Sequence, residues 1–105
     1  MNIVIDKKDT NKIDSNGLKY GLWRTYHHNN NLWYELNYVN GKAHGSAKSW
    51  RVDGTLRIEI NHMNGNVNGL SRKWDPNGRL VDERYYVNGI LEGEDIEYEY
   101  GLGLI

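Results

Sequence analysis

The chain has 105 residues, a formal net charge of −1 at pH 7 and no cysteine. This excludes disulfide and thiolate chemistry and removes any bulk electrostatic attraction to nucleic acid or anionic membrane. Eight Tyr and four Trp stand against no Phe, and such polar-tipped rings suit half-wet sheet faces better than a dry core.

A chain of this length is expected to form one domain, 1–105. Residues 1–15 precede any repeating pattern and are read as an N-terminal cap. Within them Ile3-Val4-Ile5 suits a short strand, and Asp6 to Lys12 suits a polar turn or loop. The start lacks the apolar run of a signal peptide. No stretch approaches the roughly 18 apolar residues of a membrane span. A soluble, cytoplasmic protein is therefore expected.

From Asn16 onward the chain repeats. Asn-Gly-x-x-x-Gly occurs as Asn16–Gly21, Asn40–Gly45, Asn64–Gly69 and Asn88–Gly93, each copy 24 residues after the last. A fixed period of this size marks a repeat architecture. An aromatic column follows (Tyr26, Trp50, Trp74, Tyr98), with Arg24, Lys48, Arg72 and Ile96 two residues before it. Then come Leu32, Leu56 and Leu80, and Glu35, Glu59 and Glu83. Tyr38, His62 and Tyr86 lie just before the next Asn-Gly.

Segments such as Leu56-Arg57-Ile58-Glu59-Ile60 alternate apolar and polar residues, as half-buried strands do. Asp53-Gly54 and Pro76-Asn77-Gly78 are hairpin signals, and Asn29-Asn30-Asn31 fills the same slot without glycine. Helix signals are absent. The expected fold is all-β: a repeat array of antiparallel β-hairpins with a 24-residue period, forming one twisted or curled meander sheet. About eight short strands are expected, with open edges that favour self-association. The tail Gly101–Ile105 is expected to cap one end or to fray.

Alternation assigns Leu32, Tyr34, Leu36 and Tyr38 to one face, with Leu56, Ile58, Ile60 and His62 and the aromatic column. The opposite, more polar face receives Trp33, Glu35, Arg57, Glu59, Glu83 and Tyr85. Asp82 and Arg84 interrupt the apolar series, so that part of the face is expected to be partly exposed.

Tyr38-Val39-Asn40-Gly41-Lys42-Ala43-His44-Gly45 and Tyr86-Val87-Asn88-Gly89-Ile90-Leu91-Glu92-Gly93 resemble MORN repeats. They are more similar still to the divergent MORN-variant repeats of small bacterial, antitoxin-like proteins. The resemblance covers residues 16–100, as four MORN-like hairpin repeats, with His62 replacing the tyrosine in one copy. It implies hairpin arrays that mostly mediate protein contacts and sometimes lipid contacts.

The glutamates should lie roughly 10 Å apart, two strands from one another, which suits cross-strand pairing with Lys or Arg better than a metal site. His27 and His28, adjacent on an expected strand, should point to opposite faces. The basic and aromatic columns are read as cation–π ladders, with single-stranded nucleic-acid stacking as the weaker alternative. Trp23 and Trp33 stand outside the repeat columns. No nucleophile–base pair is evident, so neither enzymatic activity nor a cofactor or metal is expected. The expected function is a non-enzymatic protein–protein interaction module binding through Trp33, Glu35, Arg57, Glu59, Glu83 and Tyr85. The resemblance alone implies a small inhibitor or antitoxin. The alternative is carbohydrate or other ligand binding on an aromatic sheet face.

Overall fold

The computed structural model describes residues 9–97, with side chains described as far as Glu92. The expected strand Ile3–Ile5, Tyr98 and the tail Gly101–Ile105 lie outside the described residues. Among the described residues nine strands follow one another in sequence: β1 (Lys12–Ile13), β2 (Lys19–Tyr26), β3 (Leu32–Val39), β4 (Lys42–Ala43), β5 (Gly45–Trp50), β6 (Leu56–Met63), β7 (Asn66–Trp74), β8 (Leu80–Val87) and β9 (Ile90–Glu97). They form one antiparallel sheet in the order β1-β2-β3-β5-β6-β7-β8-β9, with β4 beside β3. The hairpin meander is thus as the sequence indicates. Lys12, expected in a turn, is instead paired in β1 with Tyr20.

Two kinds of turn alternate. At Asn40-Gly41, Asn64-Gly65 and Asn88-Gly89 both residues have positive φ, between 49° and 88°. This is the type I′ geometry whose twist matches the flanking strands. Each turn glycine also donates its N–H to the preceding repeat: Gly41 to Lys19, Gly65 to Ala43 and Gly89 to Val67, at 2.7–2.9 Å. Asn16-Gly17 differs. Only its glycine has positive φ, and Asp14 Oδ1 accepts the N–H groups of Asn16 and Leu18. The first copy of the motif therefore closes a loop between Ile13 and Lys19, in which Gly17 N–H bonds the Asp14 carbonyl.

At the other margin, Asn30, Gly54 and Gly78 occupy equivalent left-handed positions, with φ of 68°, 91° and 82°. Asn30 replaces glycine because its short polar side chain tolerates that region. His27 and His28 belong to this turn and not to a strand, since β2 ends at Tyr26. The side chains here tie neighbouring repeats. Asn29 and Asn31 both donate to the Val52 carbonyl at 2.9 Å.

Register breaks recur with the same period. Thr25 pairs with Tyr34 while Tyr26 pairs with Leu32, leaving Trp33 as an extra residue. Arg57 is the extra residue between the pairs Ser49–Ile58 and Trp50–Leu56. Val81 is the extra residue between Lys73–Asp82 and Trp74–Leu80. These are β-bulges, and they overturn the simple alternation. Thr25 and Tyr26 point to opposite faces, so their partners Tyr34 and Leu32 do too. Leu32, Leu56 and Leu80 therefore join the aromatics Tyr26, Trp50 and Trp74 on the face of Glu35 and Glu59. Trp33 and Arg57 move to the face of Tyr34 and Ile58.

The most buried apolar side chains are Leu36 and Ala47, and no large side chain among the described residues is fully buried. Among the described residues no second layer stacks on this sheet, so its rings stay half-buried, as the Tyr- and Trp-rich composition indicates. Asp82 corrects another expectation: it lies in the apolar series but is only 8% exposed.

Candidate binding surface

The face opposite the bulged residues is a ladder of charge. Successive pairs run Arg24–Glu35, Glu35–Lys48, Lys48–Glu59, Glu59–Arg72 and Arg72–Glu83 across six strands. Arg24 Nε donates to Glu35 Oε2 at 2.5 Å and Arg72 Nε to Glu83 Oε2 at 2.7 Å, while Lys48 Nζ lies 3.7 Å from Glu59. The glutamates thus pair with cations across strands, and the ladder that the basic column builds is one of ion pairs. Cation–π contact is seen at the start of the sheet, where Lys19 Nζ lies 4.5 Å from the Trp23 ring centre and 5.1 Å from that of Tyr38. Trp23 packs edge-on against Tyr38 and donates its indole N–H to the Lys12 carbonyl. Its role is local packing.

Of the six residues singled out from sequence, the structure brings Trp33 and Arg57 together and separates them from the other four. Glu35, Glu59 and Glu83 are held in ion pairs on the opposite face, where Tyr85 is 50% exposed. Trp33 and Arg57 line one recess of about 430 Å³ with Thr25, Tyr34, Ser49 and Ile58. Trp33 is 49% exposed yet not loose. Its ring stacks on His27 at 5.3 Å between centres and 27° between planes. His27 is itself pinned, its Nε2–H donating to the Trp50 carbonyl at 2.8 Å. Burial, and then the neighbouring Tyr38 hydroxyl, push the Tyr34 hydroxyl pKa above its ordinary value. Tyr34 therefore stays neutral as a hydrogen-bonding group at the floor of this recess.

Sequence reasoning missed His27 as the support for Trp33, because it was placed on a strand. The signal was available: His27, Arg51 and Asp75 share one repeat position, and the first two both bond the following repeat's backbone. Among the described residues there is no group of three or more His, Cys, Asp or Glu placed to hold a metal ion. Nor is any helix there long and apolar enough to cross a membrane.

The fold and surface define a class: an open hairpin-repeat sheet displaying supported aromatic and cationic side chains from recurrent bulges. A family model described as MORN repeat variant matches residues 19–40 and 67–88. These two windows run in the same phase, from the fourth residue of an Asn-Gly-x-x-x-Gly motif to the first Asn of the next, and the intervening unit carries His62 where they carry Tyr38 and Tyr86. MORN repeats are commonly modules of protein or membrane-lipid interaction, and proteins built from them are generally non-enzymatic. No curated protein and no solved structure matches this sequence.

Proposed function

We propose that the protein is a non-enzymatic interaction module that binds another protein through the Trp33–Arg57 recess. In its specific form it is a small inhibitor or antitoxin-like protein that blocks its target by covering a surface. The carrying observation is Trp33, half-exposed but fixed on His27, beside Arg57 over an apolar floor. Rigid aromatics and arginine supply most of the binding energy at protein interfaces, typically more than about 2 kcal/mol each at the centre. The glutamate face is the weaker candidate, because its charges already satisfy one another.

The test compares wild type with the double variant Trp33→Ala, Arg57→Ala in capture of partners from the native host. The variant is expected to melt as wild type does and to lose a stoichiometric, nuclease-resistant protein. Retention of that protein by the variant would reject the recess. A second reading is carbohydrate binding, supported by the open Trp33 ring beside Thr25, Ser49 and Arg57. It requires saturable quenching of tryptophan fluorescence by oligosaccharides, abolished by Trp33→Ala.

A further inference from the structure

The Trp33–Arg57 recess also selects what enters it, an inference that rests on the recess being the binding surface. Arg24, Arg51, Arg72, Arg79 and Arg84 each meet a carboxylate or a backbone carbonyl. Arg57 differs. It is exposed and makes no hydrogen bond or ion pair among the described residues.

The bulge is the cause. Strict alternation would place Arg57 on the face of Glu59, within the ladder of carboxylates. As the extra residue between Ser49–Ile58 and Trp50–Leu56 it turns to the other face. The recess there has no carboxylate in its lining. The row through it runs Thr25, Tyr34, Ser49, Ile58 and then Lys73, before Asp82 and Glu97 are reached. Asp82 has Arg84 at 3.4 Å. The next row on this face, Trp23, Leu36, Ala47, Ile60, Ser71 and Arg84, has no carboxylate. The turn carboxylates Asp53 and Asp75 accept local N–H groups, and the cations that act on them are Arg51 and Arg79. The Arg57 charge is thus unmatched within the described residues.

Beside it stand an apolar floor, Ile58 and Ile60, and a fixed ring. His27 covers one side of Trp33, which is still 49% exposed. An unmatched cation next to such a surface calls for an anion and an apolar group together. The planar guanidinium fork suits a carboxylate, which it meets with two parallel N–H donors. Trp33 and Arg57 lie two strands apart, roughly 10 Å, a distance an extended chain covers in about three residues.

We propose that the recess binds a partner segment in which an Asp or Glu lies within about three residues of a large apolar side chain. The carboxylate meets Arg57, and the apolar side chain lies on Trp33, Ile58 and Ile60.

A random peptide library displayed on phage tests this, panned on the wild-type protein and counter-panned on Trp33→Ala. The Trp33-dependent sequences are expected to carry Asp or Glu close to a Leu, Ile or aromatic residue. Panning on Arg57→Glu should select Lys or Arg in place of the acid. Titration calorimetry then compares a selected peptide with its Glu-to-Gln analogue. The analogue should bind wild type about tenfold more weakly, the loss of a charge-assisted hydrogen bond, and Arg57→Gln should bind both alike. Arg57 is exposed and unbonded, so its variants keep the fold and decide the matter if Trp33→Ala unfolds. Trp33-dependent peptides without an acid, or the same peptides selected by Arg57→Glu, overturn the acidic segment and leave the binding surface standing. No Trp33-dependent peptide at all removes the surface itself, and this inference with it.

Discussion

Arg51 of one repeat donates its Nη2 to the Trp74 carbonyl of the next at 2.6 Å. The same guanidinium reaches the Leu56 carbonyl at 3.1 Å and lies 3.5 Å from both the Asp75 carbonyl and Thr55 Oγ1. One planar fork thus joins a turn, its own strand and the following repeat, an arrangement that suits arginine and not lysine. His27 makes the equivalent reach to Trp50 in the first repeat.

Replacing Arg51 by Met should therefore lower stability by about 2–3 kcal/mol, because a part-buried charge-assisted network is lost and carbonyls are stranded. Arg51→Lys should recover less than half of that. Urea unfolding at constant m-value measures both.

Gly41 and Gly89 separate two causes of turn strain. Both have φ near 80°, but a Cβ on Gly41 would sit 3.0 Å from Leu18 Cδ2, whereas one on Gly89 meets nothing within 4 Å. Gly89→Ala should cost about 1–2 kcal/mol from backbone strain alone. Gly41→Ala should cost that and more, since Leu18 must shift. Equal losses in thermal or urea unfolding would show that Leu18 yields freely.

The charge ladder should be uneven. Double-mutant cycles should give about 1 kcal/mol for Arg24–Glu35, which is short and mostly shielded, and roughly 0.5 kcal/mol or less for the longer, more exposed Lys48–Glu59. Raising salt should shrink the second coupling further. Coupling energies that rank the other way would contradict the geometry.

Two turn aspartates should titrate low. Asp53 accepts the Thr55 backbone N–H and then its hydroxyl, and Asp75 accepts the backbone N–H groups of Arg79 and Asn77. Both carboxyls are held below the ordinary value of 3.8, chiefly by those backbone bonds. A depressed folded pKa gives stability that is present above the unfolded value and is lost as pH falls through the folded one. Melting temperature should thus drop on acidification below about pH 4. Asp75→Asn should flatten that drop. Carboxyl-detected NMR titration reads both groups directly.

Much of the fold was legible because turn chemistry and period-two alternation are local. Asn-Gly forms the I′ turn it advertises at Asn40, Asn64 and Asn88, and Asn30 takes the glycine slot. The faces were not legible beyond each bulge. Alternation counts residues, and one unpaired residue at Trp33 or Arg57 reverses the count without a glycine or proline to announce it. Asp82 was visible as a break in an apolar column, but the usual solvation of carboxylates argued for exposure. Asp82 shares a recess with Ile58, Ile60 and Tyr86, residues that only the pairing of strands brings beside it.

The bonds that join one repeat to the next end largely on backbone carbonyls: Lys19, Ala43 and Val67 receive the turn glycines, and Trp50, Val52 and Trp74 receive side chains. The bulge positions, by contrast, hold a tryptophan, an arginine and a valine in succession. Joinery and display are therefore written in different places. A unit of 24 residues can be added, removed or exchanged without rewriting its neighbours, and each unit spells one letter of its own on the shared face. The length of that word and its spelling can be varied independently.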